Sequence, residues 1–348
     1  MDIQNHFYGH SAALARYAGQ HRARHIDGLL QHGWVASSPL AVNFGDFPEV
    51  GRGADQRRLL VWTHTSRAWS PDDEDRVTTP VGAPFLYLLR LLADQQQLEQ
   101  VPGDGRPLVV PLHRTHVRAT DSDPEGLSRF YRELLGPSTV CLHSEDLKQA
   151  GTVQAWRRGG HEVVSAGDRF DPLFLPRLAR GVLASSRVVS NRLSTIVWYA
   201  AAAGVSATVF GPAPLIEGES RDALDRLTHL WPELHAEDAP LATTQPLADA
   251  ELGAAHLLGP GELARVLGWS HPWSGRAFGS YWMGGPVAKA LTVVGLRDRE
   301  ASGTAVAATT VQGGPRPVDF LRHPLSHLPR RLPRLVDPRA SLDWCRPS

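Results

Sequence analysis

Arg187-Val188-Val189-Ser190-Asn191-Arg192-Leu193-Ser194-Thr195 runs into a small-residue stretch, Trp198 to Ala203, closed by Gly204. An apolar strand, a polar loop and a helix opening on two hydroxyls follow one another with no hairpin signal between them. The next stretch, Ser206 to Phe210, is apolar again, so the unit reads strand–helix–strand. Working back toward the N-terminus, the same unit repeats. Leu108-Val109-Val110-Pro111-Leu112 predicts a strand, and Asp123 to Leu135 a helix ended by Gly136-Pro137. Thr139-Val140-Cys141-Leu142-His143 predicts a strand, Glu145 to Arg158 a helix ended by Gly159-Gly160, and Glu162-Val163-Val164 a strand. Leu173 to Ala184 predicts the helix that leads into Arg187. Strands alternating with helices of roughly 10–15 residues indicate a parallel sheet wound on both faces. The fold class is α/β.

The first hundred residues are less regular. Ile26 to Gln31 and Leu59 to Thr63 are candidate strands, and Phe85 to Leu92 has the apolar density of a buried helix. Pro102-Gly103-Asp104-Gly105 breaks the pattern. The expected organisation is a first α/β domain over 1–102, a second over 103–270, and a terminal helix with a Pro/Arg-rich tail over 271–348. Further helices are expected near Ala223 to His235, Glu262 to Leu267 and Ala277 to Val294.

Composition excludes several classes. The chain has 348 residues, 42% of them hydrophobic and 21% charged, which suits a globular protein rather than a disordered one. Acidic and basic side chains balance at 36 each, so no overall field recruits nucleic acid. Cys141 and Cys345 stand far apart without zinc spacing, and no metal site is expected. The start, Met1-Asp2-Ile3-Gln4-Asn5-His6, has neither a basic nor an apolar region of a signal peptide. No apolar run approaches the roughly 20 residues that span a bilayer. A cytoplasmic protein is therefore expected. The tail carries Leu321, Leu325, Leu328, Leu332 and Leu335 between Arg322, Arg330, Arg331 and Arg334. Pro324, Pro329 and Pro333 forbid a long amphipathic helix, so packing across the domains is expected. Peripheral contact with the inner membrane face is the alternative.

The candidate site residues sit at strand ends. In open α/β sheets anions bind outside the strands' carboxyl edge, where helix N-termini point their unpaired N–H groups. Ser194 and Thr195 can add hydroxyl donors to a phosphate, with Ser190 and Asn191 just before them. The same residue types also serve as plain helix N-caps. His143 ends its strand, and His113-Arg114 ends Leu108 to Leu112. Arginine there suits forked contact with phosphate oxygens. In the first domain Gln31-His32-Gly33-Trp34 ends a strand. His32 has the ordinary pKa of a general base near neutrality, and Gly33 permits close backbone approach.

The order of these motifs resembles that of the CDP-glycerol glycerophosphotransferases and related capsular-polysaccharide transferases of the GT-B fold. The matching elements are Gln31-His32-Gly33-Trp34, Gly82-Ala83-Pro84, Pro111-Leu112-His113-Arg114, His143 and Ser190 to Thr195, over roughly residues 25 to 215. The chain departs from the family at Ser190-Asn191, where an aspartate commonly precedes the serine pair, and at Ser144, where proline is usual. The resemblance implies two Rossmann-like domains facing a cleft, and a metal-independent bacterial transferase without a cofactor. Its partners would be a nucleotide-activated donor and a glycan or lipid-linked acceptor. It further implies His32 as catalytic base, with Arg114, His143, Ser190, Asn191, Ser194 and Thr195 holding the donor. Gly33 and His113 would be accessory. A nucleotide-sugar epimerase and a non-catalytic scaffold of the same fold remain alternatives.

Overall fold

The computed structural model describes residues 2–31, 33–34, 58–67, 78–94, 105–112, 123–215, 220–271, 275, 279 and 344–346. Two parallel sheets organise them. The first pairs β1 (Leu29–Leu30), β2 (Leu59–Val61) and β3 (Thr78–Pro80) in that order. The second contains β4 (Leu108–Val109), β5 (Thr139–Cys141), β6 (Glu162–Val164), β7 (Val188–Ser190) and β8 (Ala207–Val209). Its spatial order is β6-β5-β4-β7-β8, with every neighbouring pair parallel. The α/β class with parallel sheets is thus as the sequence predicts.

Helices supply the crossovers. Beside the first sheet lie α1 (His10–Tyr17) and α2 (Pro84–Asp94). Between the strands of the second lie α3 (Pro124–Leu135), α4 (Ser144–Leu147), α5 (Ala150–Arg158), α6 (Phe174–Ala184) and α7 (Thr195–Ala202). Then follow α8 (Arg221–Leu230), α9 (Leu241–Leu252) and α10 (Pro260–Val266). A 3₁₀ segment, Asp2–Gly9, precedes α1.

The start of α3 follows local chemistry: Asp123 accepts the Gly126 N–H at 3.0 Å as N-cap, and Pro124 occupies the first helical position. The single helix expected over Glu145 to Arg158 divides at Gln149, whose backbone is extended. Lys148 and Gln149 N–H groups bond back only three residues, to Glu145 and Asp146, so α4 tightens and stops.

Strand alternation distributes the second sheet's side chains between two cores. Val109, Val140, Val163 and Val189 pack on one face with Leu127, Tyr131 and Trp156. Leu108, Cys141, Val164 and Val188 face the other way and join a core that also takes Trp34, Trp62 and Phe85 from the first sheet's side. Both sheets therefore share one apolar interior. The chain then returns to the first sheet. Leu263, Leu267 and Trp269 pack with Leu14, Ile26, Leu30 and Leu60, so α10 belongs to the first core although it follows the second sheet in sequence.

At the crossing, the left-handed Gly253 (φ 74) brings the end of α9 against Trp62, where a Cβ would overlap the Trp62 carbonyl oxygen. Among the described residues of the C-terminal stretch, Cys345 pairs antiparallel with Ser165 past β6, and the Trp344 indole fills the space beside Gly181 of α6 that a Cβ would take. The expected helix over Ala277 to Val294 and the remaining tail fall outside the described residues, as does the acidic run at 72–75.

Candidate functional site

The strand order fixes where a ligand would meet the second sheet. From β4 the chain winds outward through β5 and β6, then returns to β7 on the other side of β4 and winds outward to β8. The gap between β4 and β7 is the topological switch point, where ligands bind at the carboxyl edge of open α/β sheets. The loops that flank it are Val110 to Leu112, leading into residues outside the described ones, and Asn191 to Ser194.

The loop after β1 faces that edge. Gln31 folds it: its Nε2 donates to Gly33 O at 2.9 Å, and its Oε1 accepts the Trp62 N–H at 2.8 Å. The Trp34 N–H then donates to Thr195 Oγ1 at 3.0 Å, at the first residue of α7. Gly33 is beside it; a Cβ there would stand 3.5 Å from Thr195 Oγ1. Two strand ends distant in sequence are thus bridged by one hydrogen bond at a helix N-terminus.

Thr195 accepts in this bond, so its hydroxyl proton stays available to a further acceptor. Ser194 is the N-cap residue, extended at φ −152, and its side chain makes no capping bond. Ser194 and Thr195 are partly exposed residues, whereas Ile196 to Ala201 of α7 are buried. Ser190 is buried within β7 and accepts the Arg192 N–H at 3.4 Å.

Asn191 has a different occupation. Its Oδ1 accepts the Leu112 N–H at 2.8 Å, and its Nδ2 donates to Pro212 O at 3.1 Å and Leu112 O at 3.4 Å. The amide ties the loops after β4, β7 and β8 together, and the side chain is 2% exposed. β5 stops at Cys141, two residues short of the expected strand end, and His143 caps α4, its Nδ1 accepting the Glu145 N–H at 3.2 Å. Its ring lies edge-on to Tyr8, 6.2 Å between centroids. His32, His113 and Arg114 lie outside the described residues.

Sequence reasoning missed the group that braces the facing loops. Glu251, near the end of α9, is 2% exposed and accepts four hydrogen bonds. The donors are Trp34 Nε1 at 2.9 Å, Trp231 Nε1 at 3.1 Å, Ser66 Oγ at 2.6 Å and the Arg67 N–H at 3.0 Å. A buried carboxylate is tolerated when its oxygens are so occupied. The indoles of Trp34, Trp198 and Trp231 pack around it with centroids 4.9–5.9 Å apart. No local signal marks Glu251, since its partners come from three remote segments.

Two histidines near the N-terminus, His6 and His25, are held neutral. Burial, with some repulsion from His25, pushes His6 down to about 3, and burial pushes His25 down to about 4. The His6 Nδ1 lies 2.7 Å from Ser11 Oγ. Among the described residues no group of three His, Cys, Asp or Glu side chains is arranged to hold a metal ion. Nor does any helix among them have the length and apolarity to cross a membrane.

Fold and site define a parallel α/β protein with two sheets and a polar switch-point edge. No protein-family model, curated protein or solved structure matches the chain.

Proposed function

We propose that the chain transfers a sugar or glycerophosphate group from a nucleotide-activated donor to a hydroxyl acceptor. The observation that carries this reading is the bond from the Trp34 N–H to Thr195 Oγ1, which brings the loop after β1 against the first turn of α7. Donor phosphates would meet the hydroxyls of the partly exposed Ser194 and Thr195 and the first N–H groups of α7, a favourable anion environment. His143, following β5, and Arg114, following β4, would add donors along the same edge. His32, between the anchored Gln31 and Gly33, would take the acceptor's proton as its oxygen attacks. The leaving nucleotide's charge would be stabilised by the hydroxyls and the helix end, without a metal. In a cytoplasmic setting the acceptor would be a growing surface glycan or its lipid-linked precursor.

A second reading has one observation in its favour. Asn191, beside the expected phosphate position, is fully engaged with backbone groups, as in a fold kept as a scaffold. A thermal-shift screen against CMP, CDP, UDP, GDP and TDP separates the two. A ligand that binds only the native state raises its apparent stability. Transfer chemistry predicts a rise of several degrees with one nucleotide, reduced in Ser194→Ala. No shift with any nucleotide at millimolar concentration would overturn the transferase reading in favour of the scaffold.

A further inference from the structure

The segment Asp2–Gly9 belongs to neither sheet; it runs from the side of β1 that faces away from β2 to the loop after β6, at the carboxyl edge of the second sheet. Its first anchor is on the first sheet. Asn5 Nδ2 donates to Gly28 O at 2.9 Å, and its Oδ1 accepts the Leu30 N–H at 2.8 Å. Its last anchor is on the second. The Tyr8 N–H donates to Arg169 O at 2.6 Å, past the end of β6, and Phe7 packs edge-on against Phe170 at 5.1 Å. Gly9 is pressed onto the same loop; a Cβ there would stand 3.2–3.4 Å from Pro172 O, Asp171 O and Leu175 N.

Between these anchors Tyr8 holds φ 55 and ψ 21, in the left-handed region. Among the described residues it is the one non-glycine with positive φ. Glycine, or to a lesser degree asparagine, would relieve that strain. Strain of this kind persists where the surroundings over-determine it, as the two anchors and Gly9 do here. What the conformation delivers is an aromatic ring among side chains of the site. The Tyr8 ring centroid is 6.2 Å from His143 and 6.1 Å from His10, and 5.1 Å from Phe174. His10 in turn lies 6.2 Å from Trp62, directly after β2. Tyr8 thus stands between His143, which follows β5, and His10, which packs on the residue after β2, and it is only partly buried.

We propose that Tyr8 is a ligand-contact residue at the carboxyl edge of the second sheet, its phenol hydroxyl donating to a phosphate oxygen of the nucleotide bound beside His143. The proposal rests on the nucleotide-binding reading above and adds a third chain segment to the site. A phenol is protonated at neutral pH and supplies a donor without a second charge beside the imidazole.

Calorimetric titration of wild type, Tyr8→Phe and Ser194→Ala with a nucleoside diphosphate (CDP first, then UDP, GDP and TDP) tests it. Titration with the matching nucleoside serves as the phosphate-free probe. Tyr8→Phe keeps the ring, and its melting temperature, measured alongside, separates a lost ligand contact from a lost fold. Its affinity for the diphosphate should fall about tenfold, while nucleoside binding stays unchanged. Tyr8→Asn, which tolerates the left-handed backbone, should lose diphosphate affinity at least as far. Unchanged diphosphate affinity in Tyr8→Phe, with Ser194→Ala weakened, would overturn the role of Tyr8 and leave the nucleotide site standing. Absence of diphosphate binding to wild type would overturn both.

Discussion

Trp34 and Glu251 are 217 positions apart in sequence, and the indole Nε1–H of one donates to the buried carboxylate of the other at 2.9 Å. The same tryptophan's backbone N–H reaches Thr195 at 3.0 Å. One residue therefore couples the loop after β1 to the end of α9 and to the start of α7.

Glu251→Leu removes the acceptor for two buried indole N–H groups, Trp34 and Trp231, as well as Ser66 and Arg67. Each orphaned buried donor costs roughly 1–3 kcal/mol, so the variant should lose upward of about 3 kcal/mol in urea unfolding. Glu251→Gln keeps part of the acceptor capacity and should lose less. Equal stability of Glu251→Leu and wild type would contradict the bracing role.

Thr195→Val strands the Trp34 N–H, at an expected cost of about 1–3 kcal/mol, while Thr195→Ser keeps the acceptor and should stay near wild type. Comparing the two melting curves checks this, and a Val variant as stable as the Ser variant would show the bond to be unimportant.

Acid should destabilise the fold well before its carboxylates titrate. His6 and His25 are pushed down to about 3 and about 4 in the folded chain, against about 6.5 when unfolded. Between pH 6.5 and pH 4 the unfolded state binds more protons, so stability is fully present above pH 6.5 and falls as pH falls. The fully buried His6 should contribute a slope approaching about 1.4 kcal/mol per pH unit, and the less buried His25 a smaller one. Denaturant unfolding at pH 7.5, 6 and 5 should show this decline, with a shallower slope in His6→Asn. Identical slopes would refute the assignment to His6.

Gly181→Ala would drive a methyl group into the Trp344 indole and release the chain from its pairing with Ser165. Amide hydrogen exchange at Ser165 and Cys345, whose N–H groups bond each other's carbonyls, should then be faster in the variant than in wild type. Equal exchange rates would mean that the Trp344 contact does not hold this segment.

His32→Ala should abolish transfer yet leave nucleotide affinity within about twofold, because a general base acts on the acceptor and not on the donor's phosphates. Wild-type turnover in that variant would remove His32 from the catalytic role.

The second sheet was legible because its strands are short, apolar on both faces and separated by helices, as Val163-Val164 and Val188-Val189 illustrate. The first was less so. Thr78-Thr79-Pro80 lacks apolar alternation and forms β3 as an edge strand, where Pro80 breaks no central ladder. Helix α9 was missed because Pro246 lies within it. Such a proline ordinarily ends a helix, and here Ala248 and Leu252 are buried in the shared core. Of the candidate residues, the placement of Ser194, Thr195, His143 and Gly33 near strand and helix ends could be read from the sequence. Asn191 looked alike but binds backbone, a distinction that needs the neighbouring loops. Glu251 and Tyr8 carry no local mark. A buried carboxylate is recognised only by its partners, and a left-handed tyrosine has no sequence signature beyond the Gly9 that follows it.

A crystal structure determined with the tightest-binding nucleoside diphosphate examines the switch-point edge most directly. Its phosphates should lie within hydrogen-bond distance of the Ser194 and Thr195 hydroxyls, on the side that faces Gly33. A diphosphate bound away from the start of α7, or a nucleotide-free edge at saturating concentration, would contradict the proposed site.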